Sequence, residues 1–163
     1  RPSMNKTVRY KTWTFSVDYD RTREVYRRRE AVSPYVCQCA TCRNFSAGRE
    51  NIYPEEIRTL LDELGIDRRK EAEIYHLGRR EDSLHQYGGW FHFKGRITEG
   101  RDGRIDRADG GRTIEAVPVT ERFRIAFLKD HALHFFDEME RDELVQMEFL
   151  AETAWVIGDE EVE

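Results

Sequence analysis

Tyr87-Gly88-Gly89-Trp90-Phe91-His92-Phe93-Lys94-Gly95-Arg96-Ile97 is the stretch that decides the fold class. From Trp90 onward the side chains alternate. Phe91, Phe93 and Ile97 share one face, and Trp90 and His92 share the other. A period of two marks a strand. Gly88-Gly89 just before it reads as the tight backbone of a hairpin turn, or as a place where a ligand approaches closely beside Trp90 and His92. Upstream, Ala72-Glu73-Ile74-Tyr75-His76-Leu77 has the same period. Downstream, residues 99–112 are rich in glycine and aspartate and form a connection. Residues 114–119 make a short strand interrupted by Pro118, and Arg122 to Phe127 alternate strictly. Leu133, Phe135 and Phe136 add a further short strand. Val145, Met147, Phe149, Ala151, Trp155 and Ile157 mark one face of a long terminal one.

Working toward the start, the period changes. Ile57, Leu60, Leu61 and Leu64 recur at helical spacing and form one apolar stripe. Pro54 suits the first turn, Glu55 and Glu56 complement its positive end, and Gly65 stops the helix with Ile66 folded back on it. Thr41 is a candidate cap for a short helix through Phe45 that ends near Gly48. Ser33-Pro34 is a break. Residues 20–31 read as an exposed helix with Asp20 as its cap, and residues 7–19 as a half-buried strand carrying Trp13, Phe15, Val17 and Tyr19 on one face. Helices thus gather in the first 65 residues and strands in the remainder. The expected class is α+β, with a mostly antiparallel sheet, curved or partly closed, and two or three short helices packed on one side. The βαβ alternation of a Rossmann or thioredoxin-like sheet is absent.

The chain has 163 residues, 39% of them hydrophobic and 36% charged, which fits one folded domain. Residues 1–6 read as a tag scar and disordered start with Met4 as the natural beginning, 7–158 as a single domain, and 159–163 as an acidic tail. No stretch approaches the roughly 18 apolar residues of a membrane span, and no apolar leader is present, so a cytoplasmic protein is expected. A net charge of −5 argues against non-specific nucleic-acid binding. The Arg27-Arg28-Arg29 run reads as a solvated helix face rather than a phosphate site. There is no phosphate loop and no dinucleotide or serine-hydrolase motif. Asp102, Asp106 and Asp109 miss a calcium loop, because Ile105 and Arg107 occupy positions that need carboxylates.

The chemistry concentrates at Cys37-x-Cys39-x-x-Cys42, which holds all three cysteines of the chain. An odd, clustered set is unlike the spread, even number of a secreted disulfide framework. Thiolates are soft metal ligands and nucleophiles. With Cys42 in a first helical turn and Cys37 on an extended segment, the three sulfurs can meet at one ion. Zinc is the expected metal, held by Cys37, Cys39 and Cys42. Tetrahedral zinc takes a fourth ligand, for which His92 is the first choice and His85 the second. The other readings are a thiol-dependent enzyme or redox protein using Cys39 or Cys42, with His92 as base and Arg43 as anion binder, and a purely structural cluster of small buried side chains. The function expected is a small binding or regulatory domain around a cysteine-cluster metal site.

Cys37-Gln38-Cys39-Ala40-Thr41-Cys42-Arg43-Asn44-Phe45, together with Tyr87-Gly88-Gly89-Trp90-Phe91-His92-Phe93, resembles a family of uncharacterised bacterial proteins. In that family a C-x-C-x-x-C-R-N-F element, a proline-led helix and a Y-G-G-W-x-H-F element occur in this order. The resemblance spans roughly residues 7–157. It implies a bacterial cytoplasmic protein and no particular activity, and it links the cysteine element and His92 as parts of one pattern.

Overall fold

The computed structural model describes residues 5–29, 37–129 and 134–163. The Ser33-Pro34 break, His131, Leu133 and residues 1–4 lie outside the described residues.

The chain opens with a hairpin of β1 (Lys6–Tyr10) and β2 (Trp13–Val17). A single strand over 7–19 is the sequence expectation. A two-residue turn at Lys11-Thr12, with Lys11 at φ 51°, folds that stretch back on itself. The turn preserves the alternation, because Val8 lies opposite Phe15 and both are buried. Helix α1 (Tyr19–Arg28) follows. Its cap is Asp18 rather than Asp20, since the Asp18 carboxylate accepts from the Arg21 amide at 3.0 Å.

Helix α2 (Ala40–Ile52) begins at Cys39, not Thr41, and runs through Gly48. Gly48 lies inside the helix and does not stop it. Helix α3 (Glu55–Leu64) buries Ile57, Leu60, Leu61 and Leu64. Gly65 at φ 83° ends it, and the Ile66 amide returns to the Leu61 carbonyl at 2.9 Å.

Strands β3 (Glu73–Arg79), β4 (His85–Glu99), β7 (Val117–Thr120), β8 (Phe123–Leu128) and β9 (Leu144–Thr153) complete the main sheet. A small ribbon of β5 (Arg104–Asp106) and β6 (Arg112–Ile114) occupies the glycine-rich connection. Phe135 and Phe136 form a bend and not a strand; Phe135 packs edge-on against Tyr26 with ring centroids 5.6 Å apart. A 3-10 helix (Glu138–Glu143) leads into β9.

The sheet is open and antiparallel in the order β1-β2-β4-β9-β8-β7, with β3 also on β4. Strand β4 is its spine. Gly88 and Gly89 lie inside it, opposite Tyr75 and Ile74, and not in a turn. On one edge, β4 pairs with β3 through its first half and β2 through its last. Between them α1 supplies the missing backbone partners. The Tyr26 hydroxyl takes the His92 amide at 3.0 Å and donates to the His92 carbonyl at 2.7 Å; Thr22 Oγ1 accepts from the Lys94 amide at 3.0 Å.

The core lies between the sheet and helices α2 and α3. Phe45, Tyr53, Phe91, Phe123 and Phe149 meet there in stacked, tilted and edge contacts. Within it Arg49 grips Glu71 through two bonds of 2.9 and 3.0 Å, and Tyr53 donates to the same carboxylate at 2.8 Å. Among the described residues no helix is long and apolar enough to cross a membrane.

A three-cysteine site at the start of helix α2

Cys37 and Cys39 sit on the extended segment before α2, and Cys42 sits in its first turn. The geometry follows from the spacing. Cys39 is the N-cap residue with extended backbone, and its carbonyl accepts the first helical bond from the Arg43 amide at 3.0 Å. The helix then turns Cys42 inward while Cys37 and Cys39 face outward. The three sulfurs all lie within 4.8 Å of one another, an arrangement that can hold a metal ion.

The thiols are chemically unequal. Burial raises Cys39, but hydrogen bonds from Cys37, Thr41 and the Cys42 amide outweigh it and hold the thiol at about 6. Its sulfur lies 3.0 Å from Cys37 Sγ and 3.3 Å from Thr41 Oγ1. Burial pushes Cys42 up, and its hydrogen bonds to the two neighbouring sulfurs push it the same way. Of Cys39 and Cys42, Cys39 gives up its proton the more readily.

The cluster is tied to the sheet by the residues that follow it. Asn44 is fully buried and holds the chain beyond β9, donating to the Ala154 carbonyl at 3.1 Å and accepting from the Val156 amide at 2.7 Å. Tyr87 of β4 donates to the Thr41 carbonyl at 2.8 Å. Phe45 packs edge-on against the Tyr87 ring. Arg43 donates through Nε to the Gln38 carbonyl at 3.0 Å, which pins it to the cysteine segment. Its two terminal nitrogens take the Asp159 carboxylate at 3.0 and 2.6 Å, and these bonds hold Asp159 below its ordinary value. The acidic tail is therefore bonded to the helix start at Asp159.

The expected fourth ligands are placed differently. His92 is not in the sulfur group. It projects from the face of β4 opposite Tyr87, is buried, and bonds through Nε2 to Gln146 Oε1 at 3.0 Å. Strand alternation accounts for this, since Tyr87 and His92 are five positions apart in an unbroken register with β9. His85 does share the Tyr87 face. Its imidazole is engaged at both nitrogens, Nδ1 with His76 Nε2 at 2.9 Å and Nε2 with Glu161 at 2.8 Å, and it packs at a tilt against Trp155. Burial, then the neighbouring His85, lowers His76. The calcium-like stretch holds the exposed β5 strand and the turn that leads to β6, and its Asp102 and Asp109 bond backbone amides two residues on.

The residues that anchor the site, Asn44, Tyr87 and Asp159, carry no local sequence signal of that role. Arg43-Asn44 next to the cluster is the one hint, and it points to anion binding and capping.

Fold and site together define an α+β domain of an open antiparallel sheet and helices, with a three-cysteine group at the start of α2. No family model matches the chain, and neither a curated protein nor a solved structure does.

Proposed function

We propose that the chain is a small binding or regulatory domain in which Cys37, Cys39 and Cys42 hold a zinc ion. The observation that carries this is the convergence of the three sulfurs within 4.8 Å, two of them exposed where core packing does not require them. Zinc suits soft sulfur ligands of this kind. A thiolate at Cys39 near neutral pH favours metal uptake, since the ligand must be deprotonated. The resemblance to bacterial proteins with C-x-C-x-x-C-R-N-F and Y-G-G-W-x-H-F elements supports a bacterial cytoplasmic setting. Metal analysis of protein purified without added metal tests the reading. About one zinc per chain is expected, and none in the triple Cys37→Ser, Cys39→Ser, Cys42→Ser variant. A metal content near zero, with folding intact under chelator, sinks it.

A second reading is a thiol-dependent enzyme or redox protein. It is favoured by the asymmetry between exposed, acidic Cys39 and buried Cys42 within one C-x-x-C. It expects Cys39 to be alkylated far faster than Cys42 in metal-free protein; equal, slow labelling counts against it.

A further inference from the structure

This inference rests on the zinc reading above and concerns what else that site binds. Three sulfurs leave one position of a tetrahedral ion to be filled, and among the described residues no further His, Cys, Asp or Glu joins the group. Cys37 and Cys39 are exposed and Cys42 is buried, so two of the three sulfur-bearing residues are open to solvent. A structural zinc site is closed by four protein ligands, whereas a site that binds ligands keeps one position open.

Arg43 stands beside it. Its Nε bond to the Gln38 carbonyl fixes the guanidinium against the segment between Cys37 and Cys39, and it lies within electrostatic reach of Cys39. The same guanidinium is already occupied as a carboxylate receptor, gripping Asp159 through two parallel bonds. That grip is open to solvent, with the Arg43 side chain 40% and the Asp159 side chain 43% exposed. A soluble carboxylate can compete for it, because an exposed ion pair contributes little to stability. Asp159 comes from the chain beyond β9, so yielding Arg43 breaks no strand pairing.

We propose that the metal-loaded cluster binds a small thiol that carries a carboxylate, its sulfur taking the fourth position on the ion and its carboxylate replacing Asp159 on Arg43. The pairing matches ligand to receptor at both ends: a soft thiolate for a thiolate-rich ion, and a planar anion for a guanidinium fork. On binding, the thiol releases its proton to solvent, and its sulfur takes the place of the water that would fill the fourth position, which passes to bulk. The Asp159 carboxylate passes to water, and no oxidation occurs.

Cobalt(II)-loaded protein provides the test, because sulfur-to-cobalt charge-transfer absorption reports each thiolate bound. The loaded protein is titrated with 3-mercaptopropionate, with cysteamine, which lacks the carboxylate, and with propionate, which lacks the thiol. The band is expected to grow with 3-mercaptopropionate, at an affinity about tenfold above that for cysteamine, and to be unmoved by propionate. Arg43→Met is expected to abolish the preference while the band still grows, and Asp159→Asn to tighten binding of 3-mercaptopropionate alone. Equal affinities for the two thiols in the unsubstituted protein overturn the proposal. So does a band that is present beforehand but does not grow with either thiol, or that is lost as the thiol extracts the ion; these outcomes leave the metal reading standing. Absence of any band before thiol is added overturns the metal reading itself.

Discussion

Tyr87 and Thr41 are joined by a hydrogen bond of 2.8 Å from the phenol of the central strand to a carbonyl in the first turn of α2. The same phenol accepts from Asn44 at 3.3 Å. One fully buried side chain thus fixes the helix turn that carries Cys42 to the sheet. Tyr87→Phe keeps the ring against Phe45 and removes only the hydroxyl. Denaturant unfolding is expected to show a loss of about 1 kcal/mol, with weaker metal binding at the cluster. Unchanged stability and unchanged metal affinity would show that the turn holds its shape without the bond.

Gly89 is a position where the backbone of β3 comes too close for any side chain. A Cβ there would stand 2.6 Å from the Glu73 carbonyl oxygen and 2.8 Å from the Phe149 ring. Gly89→Ala is expected to cost about 1–3 kcal/mol through displaced strands. Gly158→Ala, which meets nothing within 4 Å, is the matched control and is expected to be neutral. Chemical denaturation of the two variants side by side decides this.

The Arg49–Glu71 pair is buried on both sides, so removing one partner differs from removing both. Glu71→Ala removes the carboxylate that two bonds tie to a buried guanidinium and is expected to cost about 3–5 kcal/mol. The double variant Arg49→Met, Glu71→Leu is expected to recover much of that loss. A double variant as unstable as Glu71→Ala would show that the charges themselves are required.

Glu140 gives the fold a dependence on acid. Hydrogen bonds from Arg21 lower it most; burial opposes them, Lys94 adds to them, and the carboxyl sits at about 2 against an ordinary 4.5. A carboxyl lowered in the folded state binds fewer protons there than in the unfolded chain. Its contribution is therefore complete above about 4.5 and is lost as pH falls toward about 2. Glu140→Gln is expected to flatten the decline in melting temperature across that window, measured against the unsubstituted chain. An unchanged slope would assign the acid sensitivity to other carboxyls.

Much of this architecture is legible in the residues. The stripe of Ile57, Leu60, Leu61 and Leu64 and the Gly65 stop are local signals, and the helix follows them. The alternation of Phe91 and Phe93 places them in the core. Three features are not local. The hairpin at Lys11-Thr12 hides because a two-residue turn leaves the period of two uninterrupted. Gly88-Gly89 looks like a turn, but the close approach of Tyr75 and Ile74, which lie on another strand, explains it. The cysteine group is legible as a spacing, whereas its surroundings are not: Asn44, Tyr87 and Asp159 meet it only through the folded chain. His92 and Tyr87 lie five positions apart in one strand, and the pleat sends them to opposite faces.

Zinc-edge X-ray absorption of the zinc-loaded chain reads the ligands that Cys37, Cys39 and Cys42 supply and so tests the proposed metal site. The expected spectrum has three sulfur neighbours at about 2.3 Å and one lighter neighbour or a fourth, exogenous sulfur. It is expected to lose sulfur in Cys39→Ser. A spectrum of nitrogen and oxygen neighbours alone, unchanged by Cys39→Ser, would contradict it.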